Sequence, residues 1–301
     1  MAKDIWRIGL AQVRIEACLQ QQALRNCAVK WLDPGAPFTF LADPFGLWRE
    51  GRLHLFAEAY DYRTRRGVID HMRFGADLSL ETRTTVLQEP WHLSYPFIIE
   101  ADGETWMAPE AHRSGSFTLY RAARFPDIWE PAGKFDFDTP AIDPTLFRHE
   151  GLWWIAFAPT GRQAEKQGRL HLAYAEHIIG PWTPHPGNPV RVDRASSRPG
   201  GTPFIADGVL YLPVQDCSAT YGGGMRLLRV EVLSPSRFVA DAGPPIDAPA
   251  AAAPFVDGLH TLSSCGPLTL FDVKRIDRSP RGLLIDVANR LARRRVTETA
   301  P

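Results

Sequence analysis

The sequence has no surplus of either charge: 34 Lys and Arg stand against 34 Asp and Glu in 301 residues. A surface that tracks a nucleic-acid backbone carries a basic excess, so nucleic acid is not an expected partner. Cysteine is scarce. Cys18, Cys27, Cys217 and Cys265 form no CxxC pair and show no metal-ligand spacing, which reads as free thiols in a reducing compartment. No run approaches the roughly 20 apolar residues that cross a bilayer. The opening Met-Ala-Lys-Asp-Ile-Trp has no apolar stretch of signal-peptide length. A cytoplasmic protein without membrane contact is therefore expected. The GxSxG, HExxH, Walker and dinucleotide fingerprints are missing too, and neither a metal nor a cofactor is expected.

Aromatic residues are abundant, at 11% with nine Trp. Most should fill a core, and some can offer flat faces on which sugar rings stack. A repeat organises them. A Pro-Phe step is followed by a Gly turn and an apolar-alternating strand at Pro44-Phe45, Pro96-Phe97, Pro203-Phe204 and Pro254-Phe255, with Pro144-Thr145-Leu146-Phe147 as the third copy. The copies lie about 50 residues apart, the period of a propeller blade with three to four strands. Five copies predict an all-β, five-bladed β-propeller over residues 1–278. Ile5–Leu10 reads as a spare strand that pairs with the last blade and covers its edge. Residues 15–28 read as a short helical segment. Ser279-Pro280 opens a C-terminal amphipathic helix and tail, 279–301, with Leu283, Leu284, Val287 and Leu291 on a face that packs on the propeller.

In a propeller the inner strand of each blade borders the axis. That position reads Asp43, Tyr95, Asp143, the Arg198-Pro199-Gly200-Gly201 stretch and Ala253 around the ring. The ends of the second strands add Glu58, Glu110 and Gln215-Asp216. Two carboxylates 100 residues apart thus share one cavity, as glycoside cleavage requires of its acid and base. An Asp before Pro also caps turns, but its recurrence at an axial position favours function.

The strings Ala42-Asp43-Pro44-Phe45 and Ile142-Asp143-Pro144-Thr145-Leu146-Phe147 resemble motifs of the five-bladed glycoside hydrolases of family 43. That resemblance implies Asp43 as general base and Asp143 as a residue that tunes and orients the acid. A longer resemblance covers nearly the whole chain. Glu89–Pro96, Met107–Glu110, Gly180–Pro186, Arg198–Gly201 and Gln215–Gly222 are similar to the N-terminal domain of glucosamine inositolphosphorylceramide transferases, whose stand-alone bacterial relatives are associated with surface-glycan chemistry. One departure stands out. Family 43 places its general-acid Glu on blade four, where this chain has Arg198, and a guanidinium donates no proton near neutral pH. Glu110 is the expected substitute, with Asp216 next. Arg198 would anchor an anion, or else pair with Asp43 or Asp143.

Trp91, Tyr95 and Tyr221 are candidate stacking faces, and His92 and His260 candidate pocket residues. Arg63-Thr64-Arg65-Arg66 reads as solvated surface or as the greeting for an anionic ligand. Two functions follow. The first is a carbohydrate-active enzyme acting on a glycosidic or related sugar bond, with catalytic Asp43, Asp143 and Glu110. The second is a non-catalytic module that binds a sugar or sugar phosphate beside a glycosyltransferase or formyltransferase.

Overall fold

A computed structural model describes residues 2–20, 22–33 and 35–288. Five antiparallel sheets are arranged as the blades of a propeller. Blade I runs outward through Thr39–Arg49, Arg52–Asp61, Arg66–Phe74 and Leu80–Leu87, and blade II through Ser94–Ala101, Glu104–Glu110, Phe117–Arg124 and Ile128–Phe135. Blade III uses Ala141–His149, Leu152–Pro159 and Arg169–Ala175, with short outer pieces at Thr183–Pro184 and Arg191–Val192. In blade IV an inner strand split into Arg198–Pro199 and Phe204–Ala206 precedes Val209–Asp216, Gly224–Ser234 and Arg237–Ala242.

The hairpins at the base of four blades have one cause. Glu50-Gly51, Asp102-Gly103, Glu150-Gly151 and Asp207-Gly208 each place two consecutive residues at positive φ. That is the turn whose twist matches two right-handed strands, and Gly at its second position takes it without strain.

Blade V is assembled from both ends of the sequence. Its inner strand is Gly258–Cys265, followed by Leu268–Asp277; the third strand is Lys3–Ala11 and the fourth Val29–Trp31. The N-terminal strand pairs from Lys3 opposite Asp277 to Ala11 opposite Thr269. The repeat register read from Pro254-Phe255 is therefore displaced by one strand. Ala253 and Pro254 lie in the connection after the turn Ala250–Ala252, and Gly258–Leu262 begins the inner strand, not the second. A Pro-Phe step also occurs in this loop, and position in the ladder, not the dipeptide, marks the axis.

Two short helical turns, Ile15–Leu19 and Ala23–Asn26, precede blade I. Large apolar clusters fill the seams between blades, one of them joining blades I, II and III around Phe45, Tyr95, Phe97 and Phe157. A C-terminal helix occupies 281–288. Its apolar face is not buried as the sequence pattern implies: Leu283, Leu284 and Val287 are exposed, and Leu291 lies outside the described residues. No helix among the described residues is long and apolar enough to cross a membrane.

Candidate active site

The axial site is made by one device used repeatedly. In four inner strands two residues step out of the ladder, between Ala42 and Phe45, Ser94 and Phe97, Ile142 and Thr145, and Leu259 and Leu262. The displaced pairs are Asp43-Pro44, Tyr95-Pro96, Asp143-Pro144 and His260-Thr261. Pro costs nothing there because it has no ladder partner to donate to. The residue before it turns into the left-handed region: φ is 52° at Asp43, 46° at Tyr95 and 51° at Asp143. Such backbone is tolerated where the surroundings hold it in place, and bulges re-aim side chains at sites. The fifth axial residue is thus His260 and not Ala253.

Under the bulges lies a cavity of about 210 Å³. Trp6, Tyr60, Tyr62 and Tyr221 give it aromatic walls; Asp43, Glu58 and Glu110 give it carboxyl groups; His92, His260 and Arg198 complete it. Aromatic and ionisable side chains thus converge on one small space.

Asp43 is buried and accepts hydrogen bonds from the Tyr95 backbone N–H (3.1 Å) and the Thr261 hydroxyl (2.9 Å). Burial pushes its carboxyl up; His260 opposes this, and Asp272 and Asp143 add to it, leaving Asp43 at about 7. His260 lies flat on Trp6, with ring centroids 3.6 Å apart. Its Nδ1 donates to Asp272 at 2.8 Å and its Nε2 faces Asp43 at 3.5 Å. Burial alone would lower the imidazole, and Asp272 and Asp43 outweigh it to raise it. Asp43, His260 and Asp272 lie close enough together to hold a cation. The donor set argues for another use. Asp272 already accepts from the backbone N–H groups of Asp43, His260 and Thr261 as well as from the imidazole. A metal ligand needs free lone pairs, and Asp272 offers few. The three form a fixed Asp–His–Asp chain that orients Asp43.

Glu58 and Glu110 hold equivalent second-strand positions, opposite Ala42 and Ser94, and behave oppositely. Glu58 has no hydrogen-bond partner among the described residues, and the His92 ring nitrogen Nε2 lies 3.6 Å away. Burial, then the charges of Asp43, Glu110, Asp272 and Asp143, push it well above the ordinary carboxylate range. Burial pushes Glu110 up as well, but the His112 ring at 2.5 Å, the His112 backbone N–H at 2.9 Å and His92 prevail, holding it at about 2. The Ser94 hydroxyl donates to its other oxygen. Glu110 is thus drawn toward its ionised form, and Glu58, at the same position one blade earlier, toward its protonated one.

Asp143 is tied down from behind. Arg198 Nε donates to it at 2.7 Å and Gln215 Nε2 at 2.9 Å. Burial pushes Asp143 up and the guanidinium pulls it back. Arg198 also donates to the Lys166 carbonyl and stacks under Tyr221, 4.9 Å from the ring centroid. Its charge is engaged within the protein, so the anion-anchor reading gives way to the ion pair. Among the described residues it pairs with Asp143 and with neither Asp43 nor Glu58.

The structure thus brings Asp43, Glu110, His92, Arg198, Tyr221 and His260 to the cavity, with Asp143 and Gln215 directly behind it. Three expected residues stand elsewhere. Tyr95 is fully buried, its hydroxyl bonded to Thr145 and accepting the Gly201 N–H, so it offers no stacking face. Asp216 pairs with Arg226 at 2.9 Å in a separate cavity that also includes Gly223 and Asp247. Trp91 lines a basic cavity on the other side of His92. Sequence reasoning missed Trp6, Tyr60 and Asp272 and left Glu58 without a role. Asp272 could be found only by counting Leu268–Asp277 as a second strand.

The profile of the family described as glucosamine inositolphosphorylceramide transferase 1, N-terminal, matches residues 20–243. Glucosamine inositolphosphorylceramide transferase 1 of Arabidopsis thaliana is 37% identical over 222 residues, 71% of this chain and 28% of its own length. Its namesake from Oryza sativa subsp. indica is 38% identical over 213 residues, 68% of this chain and 28% of its own. The chain therefore spans little more than a quarter of the curated relatives it matches. Among solved structures, the family 117 glycoside hydrolase Zg3597 of Zobellia galactanivorans superposes with a TM-score of 0.54 at 15% identity, covering 78% of this chain and 84% of its own. A family 43 glycoside hydrolase of Xanthomonas citri gives 0.54 at 16%, covering 87% and 91%. These likenesses establish the five-bladed fold.

Proposed function

Because the chain belongs to the glucosamine inositolphosphorylceramide transferase N-terminal family, a group concerned with glycans, we propose that its axial cavity binds a sugar and acts on a glycosidic or related sugar bond. The observation that carries this reading is the pair Asp43 and Glu58. Both carboxyl groups are buried against one aromatic-walled cavity, and both are pushed toward the protonated form. Glu58 keeps a proton to give to a departing oxygen. Asp43, at about 7, is balanced to take one from an attacking water. The water oxygen bonds to the anomeric carbon, its proton passes to Asp43, and the proton of Glu58 goes to the leaving oxygen. Asp143, held by Arg198 and Gln215, supplies a fixed negative field beneath the site. Tyr221 offers an aromatic face to the ring, and Trp6, stacked on His260, adds apolar wall. In keeping with this, the Xanthomonas citri hydrolase with the same fold has been solved in complex with xylose.

The Arg198–Asp143 ion pair favours a second reading, a module that binds a sugar without cleaving it and serves a glycosyltransferase. Single-turnover hydrolysis of a panel of aryl furanosides and pyranosides separates the two. Asp43→Asn and Glu58→Gln should each lower the rate by about 10²–10⁴, the usual contribution of general acid–base groups. No turnover of any substrate, with sugar binding that survives both substitutions, refutes the enzyme reading in favour of the module.

A further inference from the structure

His92 is a shared wall. On one side is the acidic axial cavity; on the other is a second cavity of about 380 Å³ lined by Arg65, Arg66, Arg113 and Trp91. Its charge is the reverse of its neighbour's. None of the three arginines forms an ion pair among the described residues, although the fold pairs arginines with carboxylates at many other places. Three uncompensated guanidinium groups around one hollow repel one another, and a protein without a basic surplus has not gathered them by composition. The indole Nε1 of Trp91 in the same wall is also buried without a partner.

The two cavities are electrically joined. Burial and Glu58 push the Tyr60 phenol up, while Arg65 and Arg113 pull against them across the wall. His92 fixes the distance between the cavities. Its Nδ1 accepts the Gly67 N–H at 2.8 Å, and a Cβ on Gly67 would collide with the Leu93 carbonyl at 2.3 Å and come within 2.8 Å of Glu58. The separation of acidic and basic sides is thus built into the backbone. Arg198, the cation inside the axial cavity, is already engaged by Asp143. A ligand that fills both cavities keeps its negative charge away from the acidic side and presents it to the basic side.

We propose that the Arg65–Arg66–Arg113 cavity is the subsite for an anionic group, phosphate or carboxylate, borne by the glycan whose ring occupies the axial cavity. The proposal rests on the sugar-binding reading and adds the substrate class: an acidic glycan. Guanidinium forks suit both oxyanions.

Calorimetric titration of the full chain tests it, using neutral methyl glycosides, the matching sugar 1-phosphates and uronates, and inorganic phosphate alone. The comparison is wild type against Arg65→Ala/Arg113→Ala, whose side chains are exposed and outside the acid–base machinery. In wild type at low salt, an acidic sugar should bind at least tenfold more tightly than its neutral counterpart. The double variant should lose that preference while keeping its affinity for the neutral sugar. The relative affinities of 1-phosphate and uronate identify which anion is recognised. Equal affinity for neutral and acidic sugars, or a preference that persists in the variant, overturns the proposal. Arginine-dependent binding of phosphate without binding of any sugar supports the subsite and refutes the sugar reading instead.

Discussion

Glu58 and Glu110 occupy matching positions in the second strands of neighbouring blades, and a single turn of chain separates their protonation. After Glu110 the backbone enters the short turn His112–Ser114, and His112 brings both its ring and its N–H to the carboxylate. After Glu58 the strand simply continues to Asp61. The difference was partly legible, since a His two residues beyond a Glu can fold back on it; that the chain turns there was not. It also has a consequence for stability. Glu110 is held at about 2, below the value of an unfolded glutamate. Its contribution is therefore present above about pH 4.5 and lost as the pH falls through 2. Glu110→Gln should cost about 1–3 kcal/mol at pH 7 in urea unfolding, and the gap from wild type should narrow at pH 3. An equal deficit at both pH values, or none at pH 7, would show that the His112 contact does not stabilise the charge.

At the scale of strands, the parts written locally were the parts that could be read. A Gly at the second position of a tight turn and a Pro displaced from the ladder are both demands of backbone geometry, so each left its mark in blades I to III at the same spacing. Blade V carries His260-Thr261 where the others carry X-Pro, and its outer half comes from the far end of the chain, so its register could not be read from a local pattern. Blade IV shows the remaining constraint. Its inner strand breaks between Pro199 and Phe204, and the gap is closed by Gly201, which forms a bridge to Leu262 of blade V. Gly201 has φ of 152°, and a Cβ there would sit 1.8 Å from the Leu262 carbonyl oxygen. No side-chain movement relieves a clash with backbone. Gly201→Ala should force blades IV and V apart, costing about 3 kcal/mol or more and lowering the melting temperature by roughly 5–10 °C. A melting temperature within a degree or two of wild type would mean that the seam is softer than its geometry.

Over the whole molecule, the N-terminal strand does two jobs that are separable. It is the third strand of blade V, and without it Leu268–Asp277 would present an open edge to other chains. It also carries Trp6, which lies against His260 and walls the axial cavity. Closure and part of the axial cavity's wall thus rest on the same nine residues, Lys3 to Ala11, but on different atoms: backbone N–H and C=O groups for the first, one indole for the second. A chain lacking residues 2–11 should associate into soluble oligomers, seen by light scattering, and bind no sugar. A peptide of residues 2–11 added in trans should pair with the open edge and restore both the full chain's size and the binding. The same peptide carrying Trp6→Ala should restore the full chain's size, since its backbone is unchanged, yet leave affinity for the sugar at least tenfold weaker, because removing an aromatic side chain from a binding wall typically costs about 1–3 kcal/mol. If the Trp6→Ala peptide restored binding in full, His260 would hold its place without the indole, and the strand would serve closure alone.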